Sequence, residues 1–311
     1  MDKINYAFLE TTNHCNLNCS FCNREDVIGP LQHIGLEKWK ILLHKISHHP
    51  IEECKLIGMG ESLLHPQFDE IVKTFKEVFP KCFVMSATNC QYNISHNSKL
   101  RSRLEKSLKY LDMLYLSIDG YEENYERDRS PAKWSKLIKF LEDFATLDHH
   151  KCTVAINYVV NRDNIYDIPK IKKFVDDYNL DDFRLNLAQN WNEDERMSDD
   201  EKIWGYTRTE IDFLKKFQPY IKGKSPWTWS DCFWTKRGLY TTVEGDVKIC
   251  LINTGAAPVG NIFESDIDNI RASEAYQNVA TGCSTNCPTT HCVNCSYKEL
   301  SPLLNQLGIN N

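Results

Sequence analysis

The sequence predicts an α/β fold in which six parallel β-strands alternate with helices and form an open, partial barrel. Six short apolar runs of strand length are separated by segments whose apolar residues recur at every third or fourth position. Strands that alternate with helices pair in parallel, because each helix carries the chain back across the sheet through a right-handed crossover. Six such units are two short of the eight that close a barrel. After about residue 190 the alternation ends and a small cysteine-rich module follows.

The elements follow from the pattern in order. Strands are predicted at residues 6–12, 54–60, 82–88, 113–119, 153–160 and 183–188, and helices at residues 36–46, 68–79, 100–111, 136–147 and 168–178. These units make up a core domain at residues 1–190. Residues 191–225 are polar and acidic and predict a linker with a bridging helix. Residues 226–311 predict a second module with a β-hairpin that turns at residues 244–246 and a short helix at residues 265–279.

The composition excludes some partners and favours a compartment. The 311 residues are 41% hydrophobic and 26% charged, which is ordinary for a globular protein. A formal net charge of −6 gives no basic surface for nucleic acid, and no apolar run approaches the roughly 20 residues that span a membrane. The N-terminus lacks a signal-peptide pattern. We therefore expect a cytoplasmic protein whose 13 cysteines serve as metal or cluster ligands rather than as disulfides.

Three cysteines, Cys15, Cys19 and Cys22, follow the first predicted strand within eight residues. Ligands of parallel sheets bind at this carboxyl end of the strands. A structural zinc site takes four ligands, so three cysteines on one loop would need a distant fourth. A [4Fe–4S] cluster can take three thiolates from one loop and leave its fourth iron open to a small molecule. The loop therefore predicts such a cluster; a zinc loop or three packed thiols are the alternatives.

The Cys-x3-Cys-x2-Cys spacing, with Phe21 before the third cysteine, resembles that of the radical S-adenosylmethionine (SAM) enzymes. In that family SAM binds the open iron and is reductively cleaved to a 5′-deoxyadenosyl radical, which abstracts a hydrogen atom from the substrate. The segments "GMGES", "ATN" and "SIDG" resemble further family motifs in the same order. The resemblance implies that SAM contacts residues in these three segments: Gly58, Met59, Gly60, Glu61, Ser62, Asn89, Ser117 and Asp119.

Three residues near these motifs raise separate questions. Ser62 stands where the family usually has proline, and Cys90 stands where it usually has glycine. Cys90 is a candidate hydrogen-atom donor to a substrate radical, with a packed thiol as the alternative. Arg129 resembles an arginine sometimes found after the fourth strand, and a surface salt bridge is the alternative. Elsewhere, the first helix carries His44, His48 and His49 in positions expected to face solvent.

The C-terminal cysteines resemble the SPASM/twitch extension of radical SAM enzymes, which carries one or two auxiliary iron–sulfur clusters. Two clusters with full cysteine ligation need eight thiolates, and this region offers six. The resemblance therefore implies one auxiliary cluster, of the [4Fe–4S] type, with the ligands Cys232, Cys250, Cys292 and Cys295. Cys283 and Cys287 are left over. They could replace members of this ligand set or bind an incomplete second cluster. A structural zinc site is the alternative.

Together these patterns predict a radical SAM enzyme that abstracts hydrogen from a small molecule in an oxidation, an epimerisation or a bond formation. The first strand begins close to residue 1, which leaves little room for a leader-binding domain and favours a small molecule or a short peptide. Ribosomal-peptide maturation is the alternative within the family, and a zinc-stabilised binding protein is the alternative from another class. An electron donor such as flavodoxin or ferredoxin is the expected partner.

Overall fold

The computed structural model describes residues 3–188, 206–221, 233–249, 257–282 and 303–309. All six predicted strands are present and pair in parallel, in the order β6-β5-β4-β3-β2-β1. Their bounds are Tyr6–Leu9 (β1), Glu53–Leu56 (β2), Phe83–Thr88 (β3), Met113–Ser117 (β4), Thr153–Val160 (β5) and Asp182–Leu187 (β6). The sheet places β6 at one edge and does not bring it back to β1. The predicted open α/β architecture is therefore confirmed.

Helices connect these strands and cover the sheet. They are Arg24–Val27 (α1), Leu36–Ile46 (α2), Phe68–Val78 (α3), Ser98–Ser107 (α4), Glu123–Asp128 (α5), Trp134–Phe144 (α6), Ile168–Lys172 (α7), Phe174–Asp177 (α8) and Arg208–Lys215 (α9), with 3₁₀ turns at Ser62–Leu64, Ile165–Asp167 and Gln218–Tyr220. Apolar residues spaced three and four apart become the buried face; in α3 these are Phe68, Ile71, Val72 and Phe75. In the parts of the chain that the structure describes, no helix has the length and apolar character needed to cross a membrane.

The C-terminal hairpin continues the core sheet. Strand β7 (Gly238–Thr241) pairs in parallel with β1, and β8 (Asp246–Lys248) and β9 (Gly260–Asn261) follow in antiparallel order. The predicted hairpin turn is present, and Gly245 adopts a φ of +93°, which a side chain would strain. Because β7 lies beside β1, the turn between β7 and β8 reaches the carboxyl end of β1, where the cysteine loop begins.

Three helices accompany the hairpin: Phe233–Arg237 (α10), Ile267–Ala272 (α11) and Glu274–Gly282 (α12). The single short helix predicted at residues 265–279 is therefore two helices. Ser273 separates them, because its backbone is extended (φ −63°, ψ 152°) and its hydroxyl donates to the carbonyl oxygen of Ile270 at 2.7 Å. This competition by a serine side chain for backbone groups ends the first helix.

Candidate active site

The predicted site residues converge on one edge of the sheet. The cysteine loop follows β1, the "GMGES" segment follows β2, Asn89 follows β3 and Asp119 follows β4. These four strands are parallel neighbours, so their carboxyl ends lie side by side. The geometry thus brings together four segments that are separated by about 100 residues of sequence.

The cysteine loop is held by backbone hydrogen bonds. The N–H of Asn18 donates to the Ser130 carbonyl oxygen at 2.7 Å, and the N–H of Ser20 donates to that of Asp128 at 3.0 Å. Cys22 is exposed, whereas Cys15 and Cys19 are partly buried. Burial raises the pKa of the Cys15 thiol and raises the pKa of the Cys19 thiol to about 12. Three thiols on one anchored loop, open to one side, fit a cluster that replaces their protons with iron.

The segment that leads into the cysteine loop packs closely against "GMGES", which requires a glycine at position 60. A Cβ on Gly60 would lie 2.2 Å from the Thr12 carbonyl oxygen and 2.8 Å from that of His14. The N–H of Glu61 donates to the same His14 oxygen at 2.7 Å. The family resemblance implies that SAM contacts these glycines; the structure adds a second reason for a glycine at position 60, which is the close packing of two protein segments.

The same segment offers free acceptors. Gly58, Met59 and Gly60 are partly exposed. Among the residues that the structure describes, none donates a hydrogen bond to the carbonyl oxygens of these three. Carbonyl oxygens in such a position can accept hydrogen bonds from an ammonium group.

Glu61 joins the ends of β2 and β3. Its carboxylate is buried, and it accepts hydrogen bonds from the N–H of Asn89 at 2.7 Å and from that of Leu63 at 3.3 Å. Burial raises the pKa of Glu61 to about 7. The Asn89 side-chain amide donates to Asn16 Oδ1 at 2.7 Å and lies 4.0 Å from Cys15 Sγ. Glu61 therefore positions Asn89, which in turn contacts the cysteine loop.

Asp119 and Arg129 form a buried ion pair beneath the loop. The Arg129 Nε and Nη2 atoms lie 2.6 and 2.5 Å from Asp119 Oδ2, and Asp119 Oδ1 accepts the N–H of Val159 at 2.6 Å. The guanidinium lies 5.6 Å from the ring centroid of Phe21. Arg129 is only 7% exposed, so the alternative of a surface salt bridge is wrong. Both Asp119 oxygens are engaged within the protein, whereas Ser117, at the end of β4, is partly exposed.

Cys90 is fully buried and adopts a left-handed backbone with a φ of 61°. Its thiol donates to the carbonyl oxygen of Thr88, with a sulfur-to-oxygen distance of 3.6 Å. Glycine adopts this conformation without strain, which accounts for glycine at the corresponding position of the family motif. The role of Cys90 as a hydrogen donor stays a prediction, and its burial favours the packed-thiol alternative.

Glu10 was not identified from the sequence. It lies directly after β1 with 2% exposure, and it accepts the N–H of Met59 at 2.5 Å and the N–H of Val243 at 3.0 Å. Burial raises the pKa of Glu10 to about 7. The sequence signal that could have identified Glu10 is an acidic residue placed between a buried strand and the cysteine loop. Glu10 connects the site to the hairpin turn, where Glu244 also accepts a hydrogen bond from Gln32 at 3.0 Å.

The predicted auxiliary ligands lie outside the described residues. These are Cys232, Cys250, Cys292 and Cys295, together with the surplus pair Cys283 and Cys287. The described neighbours of the first two are α10, which begins directly after Cys232, and β8, which ends two residues before Cys250. The assignment of these ligands therefore stays a prediction.

Comparisons with known proteins agree with this geometry. Residues 9–175 match the model of the radical SAM superfamily, and residues 232–296 match that of the SPASM iron–sulfur cluster-binding domain. A curated relative, the antilisterial bacteriocin subtilosin biosynthesis protein AlbA of Bacillus subtilis, is 23% identical over 277 residues, covering 85% of this chain. The chain spans 59% of the length of AlbA.

Two solved structures share the fold. Streptococcus suis SuiB bound to its precursor peptide SuiA superposes with a TM-score of 0.66 at 15% identity, covering 96% of this chain and 71% of SuiB. BtrN in complex with SAM and 2-DOIA superposes with a TM-score of 0.54 at 15% identity, covering 91% of this chain and 89% of BtrN. The family model spans more than half of the chain, including the cysteine loop and the ends of β1 to β4. The chain belongs to the radical SAM superfamily and carries a C-terminal SPASM domain.

Proposed function

We propose that this chain is an enzyme that binds a [4Fe–4S] cluster through Cys15, Cys19 and Cys22, binds SAM at the open iron, and removes a hydrogen atom from a substrate. A [4Fe–4S] cluster and SAM are the cofactors that the two family models imply. When bound, they supply a 5′-deoxyadenosyl radical by reductive cleavage of SAM. One observation carries the proposal: the three-cysteine loop and the SAM-motif segments meet at one edge of the sheet.

The chain's own residues hold and orient these groups. The three thiolates bind iron, and the Asn89 amide beside Cys15 Sγ orients the loop. The free carbonyl oxygens of "GMGES" accept the ammonium group of SAM. Ser117 faces the ribose, while Asp119 acts indirectly, by fixing Arg129 beneath the loop.

The test of this proposal is the combined replacement of Cys15, Cys19 and Cys22 by alanine. We expect the anaerobically purified variant to lose four irons per chain and all 5′-deoxyadenosine production after reduction with dithionite. Cys152→Ala is the matched control, because that thiol is buried at the start of β5, away from the carboxyl edge. Unchanged 5′-deoxyadenosine production by the triple variant would refute the proposal.

For the substrate we propose a peptide, which was the alternative to the small molecule predicted from the sequence. Its support is that AlbA is named for bacteriocin biosynthesis and that SuiB was solved with a precursor peptide. A small molecule stays the second candidate, because BtrN was solved with 2-DOIA and this chain spans 89% of BtrN.

Isotope transfer distinguishes the two substrates. Uniformly deuterated short peptides encoded near the gene should pass deuterium into 5′-deoxyadenosine, as measured by mass spectrometry. A flavodoxin or ferredoxin, the proposed physiological electron donor, can replace dithionite in this assay. Transfer from deuterated sugars or cyclitols, with none from the peptides, would favour the small molecule.

We also propose one auxiliary cluster, facing the substrate. Its support is that the hairpin turn contacts the site through Glu10 and Glu244. Replacing Cys292 and Cys295 should remove the auxiliary iron and abolish product while sparing some SAM cleavage, whereas replacing Cys283 and Cys287 should leave that cluster intact. Circular dichroism must first show that each variant is folded, because cluster binding can stabilise a small module. Equal iron loss in both variants would contradict the ligand assignment.

A further inference from the structure

Two histidines and an aspartate meet on the side of the molecule opposite the cysteine loop. His48 Nε2 lies 2.9 Å from one carboxylate oxygen of Asp268, and His49 Nε2 lies 3.5 Å from the other. A ring nitrogen of each histidine and one carboxylate oxygen of Asp268 all lie within 4.8 Å of one another. The histidines precede β2, and His49 contacts Ile4, which precedes β1. The cluster therefore lies at the amino-terminal edge of the sheet.

His49 differs from its sequence-based expectation. Helix α2 ends at Ile46, so both histidines lie in the turn after it, and the His49 side chain is only 1% exposed. Its Nε2 atom is buried and has no hydrogen-bond partner among the described residues. Buried polar atoms are rarely left without a partner, so this atom requires an explanation.

The contact of the other ring nitrogen, Nδ1, does not explain why Nε2 lacks a partner. His49 Nδ1 lies 3.5 Å from the N–H of Ile4. This distance is at the limit of a hydrogen bond and does not fix which nitrogen carries the proton. Nε2 remains directed at the Asp268 carboxylate, beside the Nε2 of His48.

We infer that His48, His49 and Asp268 bind a divalent metal ion of the zinc class. Ligand atoms about 2.0–2.1 Å from a tetrahedral zinc ion lie roughly 3.3 Å apart. The nitrogen-to-oxygen distances of 2.9 and 3.5 Å, each to a different oxygen of Asp268, are close to that separation. Two imidazoles and one carboxylate are a ligand set that zinc accepts. His48 and Asp268 are about half exposed, so water can complete the coordination.

The ion would connect two parts of the chain that the sequence keeps far apart. His48 and His49 belong to the turn between α2 and β2, within the radical SAM match, and Asp268 belongs to α11, within the SPASM match. Its role is to fix α11 against the core, and the site is separate from the iron–sulfur chemistry.

The experiment uses the full chain with its iron–sulfur clusters assembled, so that the cluster cysteines are occupied. Zinc is added anaerobically, weakly bound ions are removed with a mild chelator, and zinc and iron are counted by mass spectrometry. We expect one zinc per chain, with only nitrogen and oxygen ligands in X-ray absorption at the zinc edge. Loss of a residue that only supports a metal ligand weakens binding by about 10- to 100-fold. Because His48 and Asp268 are ligands themselves, His48→Ala and Asp268→Asn should each weaken zinc binding by more than this, with the iron content unchanged.

The matched control is Asp266→Asn. That carboxylate is exposed, lies two residues from Asp268, and pairs with Lys45 at 3.4 Å rather than with the histidines. The control should bind zinc as the wild type does. Absence of bound zinc in the wild type, sulfur ligands at the zinc edge, or zinc binding that survives Asp268→Asn would each overturn the inference.

Discussion

Gly60→Ala places a methyl group where the chain has no room for one. A Cβ on Gly60 would lie 2.2 Å from the Thr12 carbonyl oxygen and 2.8 Å from that of His14, whereas non-bonded heavy atoms prefer about 3.5 Å. One of the two segments must therefore move by roughly 1 Å. Because His14 accepts the Glu61 N–H and directly precedes Cys15, the movement reaches the cysteine loop.

The magnitude follows from the contacts that are lost. Overpacking of this kind costs about 1–3 kcal/mol, and the loss of one backbone hydrogen bond adds about 1 kcal/mol. We expect Gly60→Ala to lower the free energy of unfolding by about 2–4 kcal/mol. We also expect it to reduce the iron bound by the cysteine loop. Chemical denaturation followed by circular dichroism, and iron analysis of the anaerobically purified protein, measure the two effects.

Gly35→Ala is the control for this substitution. Apart from its two chain neighbours, no residue has an atom within 4 Å of a Cβ on Gly35, and its φ of −72° is open to any residue. Alanine restricts the unfolded chain, which stabilises the fold, but it is a poorer N-cap residue than glycine, which destabilises it. Each effect changes the free energy of unfolding by less than about 1 kcal/mol, and the two oppose each other. If Gly60→Ala is as stable and as rich in iron as Gly35→Ala, the packing argument is refuted.

Three further substitutions test buried groups near the site. Asp119→Asn should lower the free energy of unfolding by about 3–5 kcal/mol, because it leaves the Arg129 charge buried without a counter-charge; a loss below about 1 kcal/mol in chemical denaturation would contradict this. Burial raises the pKa of Glu10 from 4.5 to about 7, so the folded state holds the proton more tightly than the unfolded state does. The wild type should therefore lose stability relative to Glu10→Gln as the pH rises from about 4.5 to about 7, by roughly 3 kcal/mol in denaturation curves; a pH-independent difference would contradict the assignment. Cys90→Gly suits the left-handed backbone and should keep both SAM cleavage and product formation; product loss with intact cleavage would instead identify Cys90 as a hydrogen donor.

Much of the fold could be predicted because its signals are local. The strand predicted at residues 153–160 is β5, Thr153–Val160, since a run of mostly β-branched and apolar residues is typical of a strand buried in a parallel sheet. The helix at residues 265–279 was predicted as one element, because apolar periodicity continues through Ser273. The interruption depends on the Ser273 hydroxyl, which donates a hydrogen bond to the carbonyl oxygen of Ile270.

The partners of buried charges could not be predicted. Arg129 lies in a charged stretch of sequence, which is typical of exposed residues, yet it is buried against Asp119, ten positions earlier. His49 reads as one of several histidines near a helix end, yet its side chain is enclosed and faces Asp268, 219 positions later. Glu10 bonds the hairpin turn at Val243. The contact of Glu10 depends on the pairing of β7 with β1.

The sequence alone predicts the chemistry of the loop, because three thiols within eight residues can reach one cluster in almost any fold. It also determined the parallel sheet, through the alternation of strands and helices. Only the tertiary structure decided that β7 pairs with β1, which places the hairpin turn beside the cysteine loop. That pairing joins residues more than 230 positions apart. Its free energy comes from burying shared surface and satisfying backbone groups at a strand edge, and neither is encoded in the spacing of neighbouring residues.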